Sequence, residues 1–158
     1  MQTQALMAQA PPWVPPPSQY RRPAVGADRG RFEDLQSACR AHGGLARAED
    51  LNRLLEDYQL GDFVSLARQL GSGELICLRW REAMWVPMFQ FDLRDLSVKV
   101  GLRTVLSALA PVFDAWEATE WFVRPSEWLG GLRPCECFEQ HLGEVVMAAR
   151  TDRFVVAG

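Results

Sequence analysis

Lysine is almost absent from this chain: 16 of its 17 basic residues are arginine, and Lys99 is the only lysine. Histidine occurs twice, and the formal net charge is −3. A dedicated nucleic-acid binder carries a basic surface, and this acidic balance argues against that class. All of the excess lies after residue 100, where 8 acidic residues outnumber 5 basic ones, which suits a partner with a basic surface.

Membrane and secretion signals are missing as well. No apolar run approaches the roughly 20 residues that cross a bilayer, and the amino terminus lacks a positive region followed by an apolar core. We therefore expect no membrane contact and a cytoplasmic location. In that compartment the four cysteines would remain free thiols.

The usual signatures of enzymes are absent too. "GSGEL" at 71–75 lacks the third glycine of a dinucleotide loop, and neither a Gly-Lys-Ser/Thr phosphate cradle nor a Gly-x-Ser-x-Gly elbow occurs. Cys39 with His42, and Cys137 with His141 and nearby Cys135, have the residue types of a zinc site. Their spacing fits no standard finger. We expect a protein that is not an enzyme and that needs no cofactor or metal.

The first 100 residues divide into a tail and a small module. Residues 1–30 contain the proline-rich "PPWVPPPSQYRRP", which predicts a disordered tail. Apolar residues at helical spacing over 32–39, 51–58 and 63–70 predict three helices, with "HGG" ending the first and Asp62 capping the third. "ELICLRW" and "WVPMFQF" predict a β-hairpin turning at Arg81-Glu82, with Pro87 at an edge position. This order is typical of a winged-helix-like module over residues 31–100.

Such a module offers two functions, DNA binding or association with protein. DNA phosphates would be contacted by Arg47, Arg53, Arg68 and Arg81. Acidic residues are interleaved with these arginines, so no basic stripe forms. We favour an interaction module that makes the chain a homo-oligomer, with a dimer as the expected form and DNA contact as the alternative.

Helices return over residues 101–158. Leu102, Val105, Leu106 and Leu109 recur at helical spacing, and Asp114 with Glu117 predicts a capping box for a helix that ends before Pro125. Ser126 is predicted to cap a short turn, Pro134 to open the next helix, and Gly143 to divide it from a last helix. "DRFVVAG" is then predicted to be a tail. The fold class is mainly α with a small β-hairpin, that is, α+β.

Aromatic residues are unusually dense around residue 120. Trp116, Trp121 and Phe122 point in different directions from one helix, and about 58 residues form too small a core to bury them all. We therefore expect Trp121 to anchor the core, and part of this surface to meet another chain. Phe122 and Trp128 are the candidates for that shared face.

The same region carries a family resemblance. Its elements stand in chain order as Val112-Phe113-Asp114, Trp121, Arg124-Pro125-Ser126, Leu129-Gly130-Gly131, Pro134, and Gly143 with Val145-Val146. Over residues 102–158 this pattern resembles the toxin-binding domain of bacterial antitoxins of the Xre, MbcA and ParS type. Two departures are Ser126, where asparagine is usual, and "CECF" in place of a more aliphatic run.

The resemblance implies a small helical domain that neutralises a protein toxin. In these families the toxin is an NAD-consuming enzyme of the RES kind with an ADP-ribosyltransferase-like fold, and the antitoxin's carboxyl-terminal extremity helps to block its active site. On this chain the blocking segment would be residues 150–158, with Phe154 and Val155 as apolar anchors. Charge alone suggests that Asp152 and the terminal carboxylate occupy the basic place of the NAD phosphates.

The predicted function is therefore that of an antitoxin whose toxin is encoded nearby. The predicted toxin-binding residues are Trp121, Phe122, Arg124, Trp128, Arg150, Asp152, Arg153, Phe154, Val155 and Gly158. The predicted structural motif consists of Pro125, Leu129, Gly130, Gly131 and Pro134. Two alternatives remain: a winged-helix-like transcription regulator, and a stand-alone protein-interaction domain.

Overall fold

The computed structural model describes residues 27–60 and 63–158 of the chain. Its helices and strands are, in order, α1 (Ala27–Cys39), β1 (Leu45–Arg47), α2 (Ala48–Asp57), α3 (Phe63–Gly71), β2 (Leu78–Trp80), β3 (Ala83–Pro87), α4 (Leu102–Leu109), α5 (Ala115–Val123) and α6 (Leu142–Ala157). The predicted α-rich chain with a small β-sheet is confirmed. Among the described residues, no helix has the length and apolar character that a bilayer crossing requires.

The first helix follows its apolar pattern. Phe32, Leu35 and Cys39 are all buried on one side of α1. A short 3-10 turn over Arg40–His42 follows, and Gly43 then takes a left-handed φ of 92°, so the predicted stop at "HGG" is confirmed. The helix begins at Ala27, inside the range predicted to be a tail. The rest of that tail, like the predicted cap at Asp62, lies outside the described residues.

The strands form one antiparallel sheet in the order β1-β3-β2. The predicted hairpin is confirmed: Trp80 pairs with Ala83 across a two-residue turn in which Arg81 has a φ of 54°. The sequence pattern missed β1, because three residues are too few to show alternation. This strand makes β3 central, so the predicted edge position of Pro87 is wrong. Pro87 is instead the last residue of the central strand, opposite Leu45.

A buried glutamine ties the hairpin to the segment before it. Gln90 Nε2 donates to the carbonyl oxygens of Ile76 and Pro87 at 3.1 and 3.0 Å, and its Oε1 accepts from the Ile76 N–H at 2.5 Å. The side chain is completely buried. It therefore replaces sheet hydrogen bonds that this irregular backbone does not make.

The core is continuous from the amino-terminal helices to the carboxyl-terminal ones. The Phe32 ring stacks on Trp80 with centroids 4.0 Å apart and meets Trp116 of α5 edge-on at 6.2 Å. Phe89 lies 4.9 Å from the Phe122 ring. Residues before position 100 thus cover Trp116 and Phe122, and the expectation that these aromatics need a second chain is wrong.

The carboxyl-terminal helices show one confirmed start and one corrected end. The capping box is confirmed: Asp114 Oδ1 accepts from the Glu117 N–H, and Glu117 Oε2 accepts from the Asp114 N–H, both at 2.8 Å. Pro134 opens a 3-10 turn, Pro134–Glu136, and the chain turns again before α6, so the division falls ahead of Gly143. The predicted tail "DRFVVAG" is helical as far as Ala157. No proline or glycine interrupts residues 144–157, so nothing in the sequence stops the helix there.

Candidate functional site

A groove of about 540 Å³ opens beside the end of α5, the turn that follows it and the second half of α6. It is lined by the indoles of Trp121 and Trp128, by Asp152 and Val156 of α6, and by Arg31 of α1. We call it the indole groove. Its volume lies within the range of pockets that hold small molecules.

Asp152 is fixed in this groove by two tryptophans. Trp121 Nε1 donates to Asp152 Oδ2 at 2.7 Å, and Trp128 Nε1 donates to Asp152 Oδ1 at 2.9 Å. The carboxylate makes no ion pair with any described residue. Asp152, predicted to reach into a partner, is thus held by neutral donors against the body of the protein.

Glu120 of α5 forms ion pairs with both arginines of the groove. Arg31 Nε donates to Glu120 Oε1 at 2.6 Å, and the Arg31 guanidinium lies 5.4 Å from the ring of Trp116. Arg124 Nη2 lies 3.6 Å from Glu120 Oε2. The hydrogen bond from Arg31 to Glu120 raises the pKa of Arg31 further above its ordinary value. The sequence prediction missed Arg31 and Glu120, because 89 positions separate them and no local pattern joins them.

The double glycine closes the turn that carries Trp128. Gly130 and Gly131 have left-handed φ values of 64° and 86°, which glycine adopts without a steric penalty. The Ser126 N–H donates to the Leu132 carbonyl at 2.9 Å, and the Gly131 N–H donates to the Ser126 carbonyl at 2.9 Å. The predicted side-chain cap by Ser126 is wrong, since its hydroxyl caps nothing. That hydroxyl is buried with no hydrogen-bond partner among the described residues.

The end of α6 carries the largest exposed apolar stretch of the site. Phe154, Val155 and Val156 are 82%, 65% and 58% exposed, and every residue over 153–158 is exposed. Of the predicted toxin-binding residues, those on this helix end are Arg150, Arg153, Phe154, Val155 and Gly158. They lie outside the groove, which instead brings together Trp121, Arg124, Trp128 and Asp152.

Phe122 does not belong to any exposed face. Its exposed fraction is 0%, and its ring packs against Phe89, Trp121 and Phe138 with centroids 4.9, 5.1 and 5.7 Å away. Its predicted role on a face shared with another chain is therefore wrong. The neighbouring Trp121, predicted to anchor the core, is only half-buried and lies at the rim of the groove. Phe122 is therefore the core residue of the pair, and Trp121 is the one that a partner can reach.

Among the cysteines and histidines of the described part of the chain, His42 Nε2 lies 3.7 Å from Glu136 Oε1. There, no three His, Cys, Asp or Glu side chains come close enough together to hold a metal ion. All four cysteines are buried free thiols. Burial raises the pKa of Cys39, Cys77 and Cys135 to about 12, so these thiols stay protonated and unreactive at neutral pH.

The arginines of the DNA alternative are scattered over the amino-terminal elements. Arg47 and Arg53 lie 3.5 and 3.7 Å from the carboxylates of Glu49 and Asp50. The Arg81 guanidinium lies over the Trp80 ring at 4.3 Å, beside the hairpin turn. The remaining one, Arg68, is exposed in the last turn of α3.

No family model matches the chain, and neither a curated protein nor a solved structure matches it. The function must therefore be argued from the residues of the indole groove and of the α6 end.

Proposed function

We propose that the chain is an antitoxin, and that it neutralises a protein toxin by binding it with the exposed end of α6. The observation that carries this proposal is the run of three exposed apolar residues, Phe154 to Val156, at the end of a helix. Large exposed apolar patches mark protein–protein interaction sites, and three consecutive exposed apolar residues contribute to such a patch. The family resemblance of residues 102–158 supplies the kind of partner.

The proposed mode of binding is the entry of the exposed apolar side chains of the α6 end into a cleft. Phe154 lies seven residues after Met147, which is 60% exposed, so both lie on one face of α6. Helices dock into apolar clefts through side chains that share one face, and Met147 and Phe154 have the seven-residue spacing of such a pair. In the toxin that the resemblance implies, this cleft is the NAD site. Access of NAD would be blocked by a helix rather than by a flexible tail.

The arrangement of α6 decides where a truncation should be made. Removing everything after Ala149 would also remove Asp152 and leave the N–H groups of Trp121 and Trp128 without their acceptor. A stop after Arg153 deletes Phe154 to Gly158 and keeps both hydrogen bonds. We expect this shorter chain to fold normally and to lose neutralisation.

The test is co-expression with the protein encoded next to this gene, followed by affinity pull-down and an assay of NAD loss. We expect the full chain to co-purify with its neighbour and to suppress NAD loss, and the chain ending at Arg153 to do neither. Absence of any complex with the full chain would refute the antitoxin proposal. Protection by the shortened chain would refute the role of the α6 end.

A matched pair of substitutions tests whether the α6 end binds the partner or whether any exposed valine would give the same effect. Val155→Ser removes an apolar side chain from the α6 end, and Val100→Ser makes the same change at a site that is 86% exposed elsewhere. We expect Val155→Ser to weaken the complex about tenfold, roughly the burial free energy of one valine side chain. Val100→Ser should leave the affinity unchanged.

A second candidate is a winged-helix-like regulator that binds DNA. Its support is the element order of helix, strand, two helices and hairpin, with β1-β3-β2 pairing and Arg81 at the hairpin turn. The acidic partners of Arg47 and Arg53 weaken the case. Duplex titration at increasing salt tests it, because phosphate contacts make affinity fall steeply with salt. Binding that is absent at low salt would eliminate this candidate.

A further inference from the structure

The Asp152 carboxylate can accept more hydrogen bonds than the described residues donate to it. A carboxylate offers about four lone-pair positions, and here each oxygen accepts one indole N–H. Both indole donors are neutral, and no described residue supplies a cation to this group. The result is an anionic acceptor that is held in a fixed orientation at the wall of a groove.

The charges of the groove favour a cation over an anion. Its lining contains four carboxylates, on Glu117, Glu120, Glu127 and Asp152, against two guanidinium groups. Both guanidinium groups lie within 3.6 Å of Glu120. The carboxylates of Glu127 and Asp152 therefore remain uncompensated among the described residues.

Ser126 provides an independent sign of a missing ligand. It lines the groove and is only 8% exposed, and its Oγ has no hydrogen-bond partner among the described residues. A buried hydroxyl without a partner is unfavourable until a donor or acceptor reaches it. A ligand with several N–H donors would supply that bond.

We propose that the indole groove binds an arginine side chain that projects from the partner protein. The guanidinium is planar and carries five N–H donors, so it can stack on an indole and use the free lone pairs of Asp152 together. Lysine presents a compact ammonium group and cannot form the same paired contact. This assignment rests on the proposed function for the identity of the partner, and it adds the chemistry by which the groove recognises it.

The probe for the test is N-acetylarginine methylamide, added to the full chain. The readout is the indole N–H resonances of Trp121 and Trp128 in a ¹H–¹⁵N spectrum, which Trp→Phe variants assign. We expect both resonances to shift in a saturable way. N-acetylcitrulline methylamide, the neutral isostere, should bind at least about tenfold more weakly, because it lacks the charge-assisted bonds.

Variants of the carboxylate give the second readout. Asp152→Asn should weaken arginine binding about tenfold, whereas Asp57→Asn, the same change on exposed α2, should leave it unchanged. Glu127→Gln keeps both indole bonds and should weaken binding by a smaller factor. Because the comparison of arginine with citrulline uses the unmodified chain, a misfolded Asp152→Asn variant does not decide the question.

The outcomes separate this inference from the antitoxin proposal. Equal shifts with arginine and citrulline, or no shift of either indole, would overturn the arginine site. Saturable arginine-selective shifts support it even if the neighbouring protein fails to co-purify, a result that refutes the antitoxin proposal alone. Co-purification of the neighbouring protein without arginine-selective shifts would support the antitoxin proposal and overturn the arginine site.

Discussion

Replacing Phe122 and Phe154 by alanine should give opposite results, although both were expected to contact a partner. Phe122 is fully buried among Phe89, Trp121 and Phe138, whereas Phe154 is 82% exposed. Phe122→Ala should therefore destabilise the fold without touching the interaction surface. Phe154→Ala should weaken partner binding and leave the fold intact.

The size of the effect follows from burial. A phenylalanine buries roughly 200 Å², which at about 25 cal/mol per Å² gives an upper value of about 5 kcal/mol. Large-to-small substitutions at such sites typically cost about 3–5 kcal/mol, because the cavity collapses only in part. An exposed substitution usually changes stability by no more than about 0.5 kcal/mol.

Urea unfolding followed by circular dichroism measures both variants on one scale. We expect the Phe122→Ala midpoint to fall strongly with an unchanged slope, and the Phe154→Ala midpoint to coincide with that of the unmodified chain. A decrease of less than about 1.5 kcal/mol in the free energy of unfolding for Phe122→Ala would refute the burial of this ring in the core. A comparable loss for Phe154→Ala would mean that the end of α6 packs on the body.

Three further predictions follow from other parts of the chain. Gln90→Leu should lower the free energy of unfolding by about 1–3 kcal/mol, because the buried Ile76 N–H loses its acceptor. The control Gln36→Leu, at an exposed position of α1, should leave the free energy of unfolding unchanged. The four buried thiols should resist a disulfide reagent at neutral pH and should all react in urea. Because burial raises the pKa of Cys39 from 9.0 to about 12, the free energy of unfolding should fall as the pH rises from 9 to 12. Sedimentation equilibrium tests the predicted homodimer, which a mass of 17.8 kDa would contradict.

Local signals predicted much of the fold. The capping box at Asp114, the stop at Gly43 and the hairpin turn at Arg81 each depend on a few neighbouring residues, and all three were predicted correctly. The errors concern longer-range effects. The strand β1 is defined only by its pairing with β3, and Phe122 is covered by Phe89 from a distant segment.

The candidate site shows the same limit. Trp121, Trp128 and Asp152 were each selected from the sequence, but for separate roles. Their hydrogen-bonded arrangement depends on α6 remaining helical through residue 152, which had been predicted to be a tail. Arg31 had no signal at all, because its partner Glu120 lies in another helix far along the chain.

The position of the Phe32 ring between the sheet and α5 also affects how the protein unfolds. Trp80 of the sheet and Trp116 of α5 both contact that one ring of α1. Neither the sheet nor α5 can lose its structure without exposing the Phe32 ring, so unfolding should be a single cooperative event with one calorimetric transition. Local opening of α1 would remove Phe32 from both tryptophans, so the stability of the amino-terminal helix should limit the stability of the whole chain, including the distant surface proposed to bind the toxin.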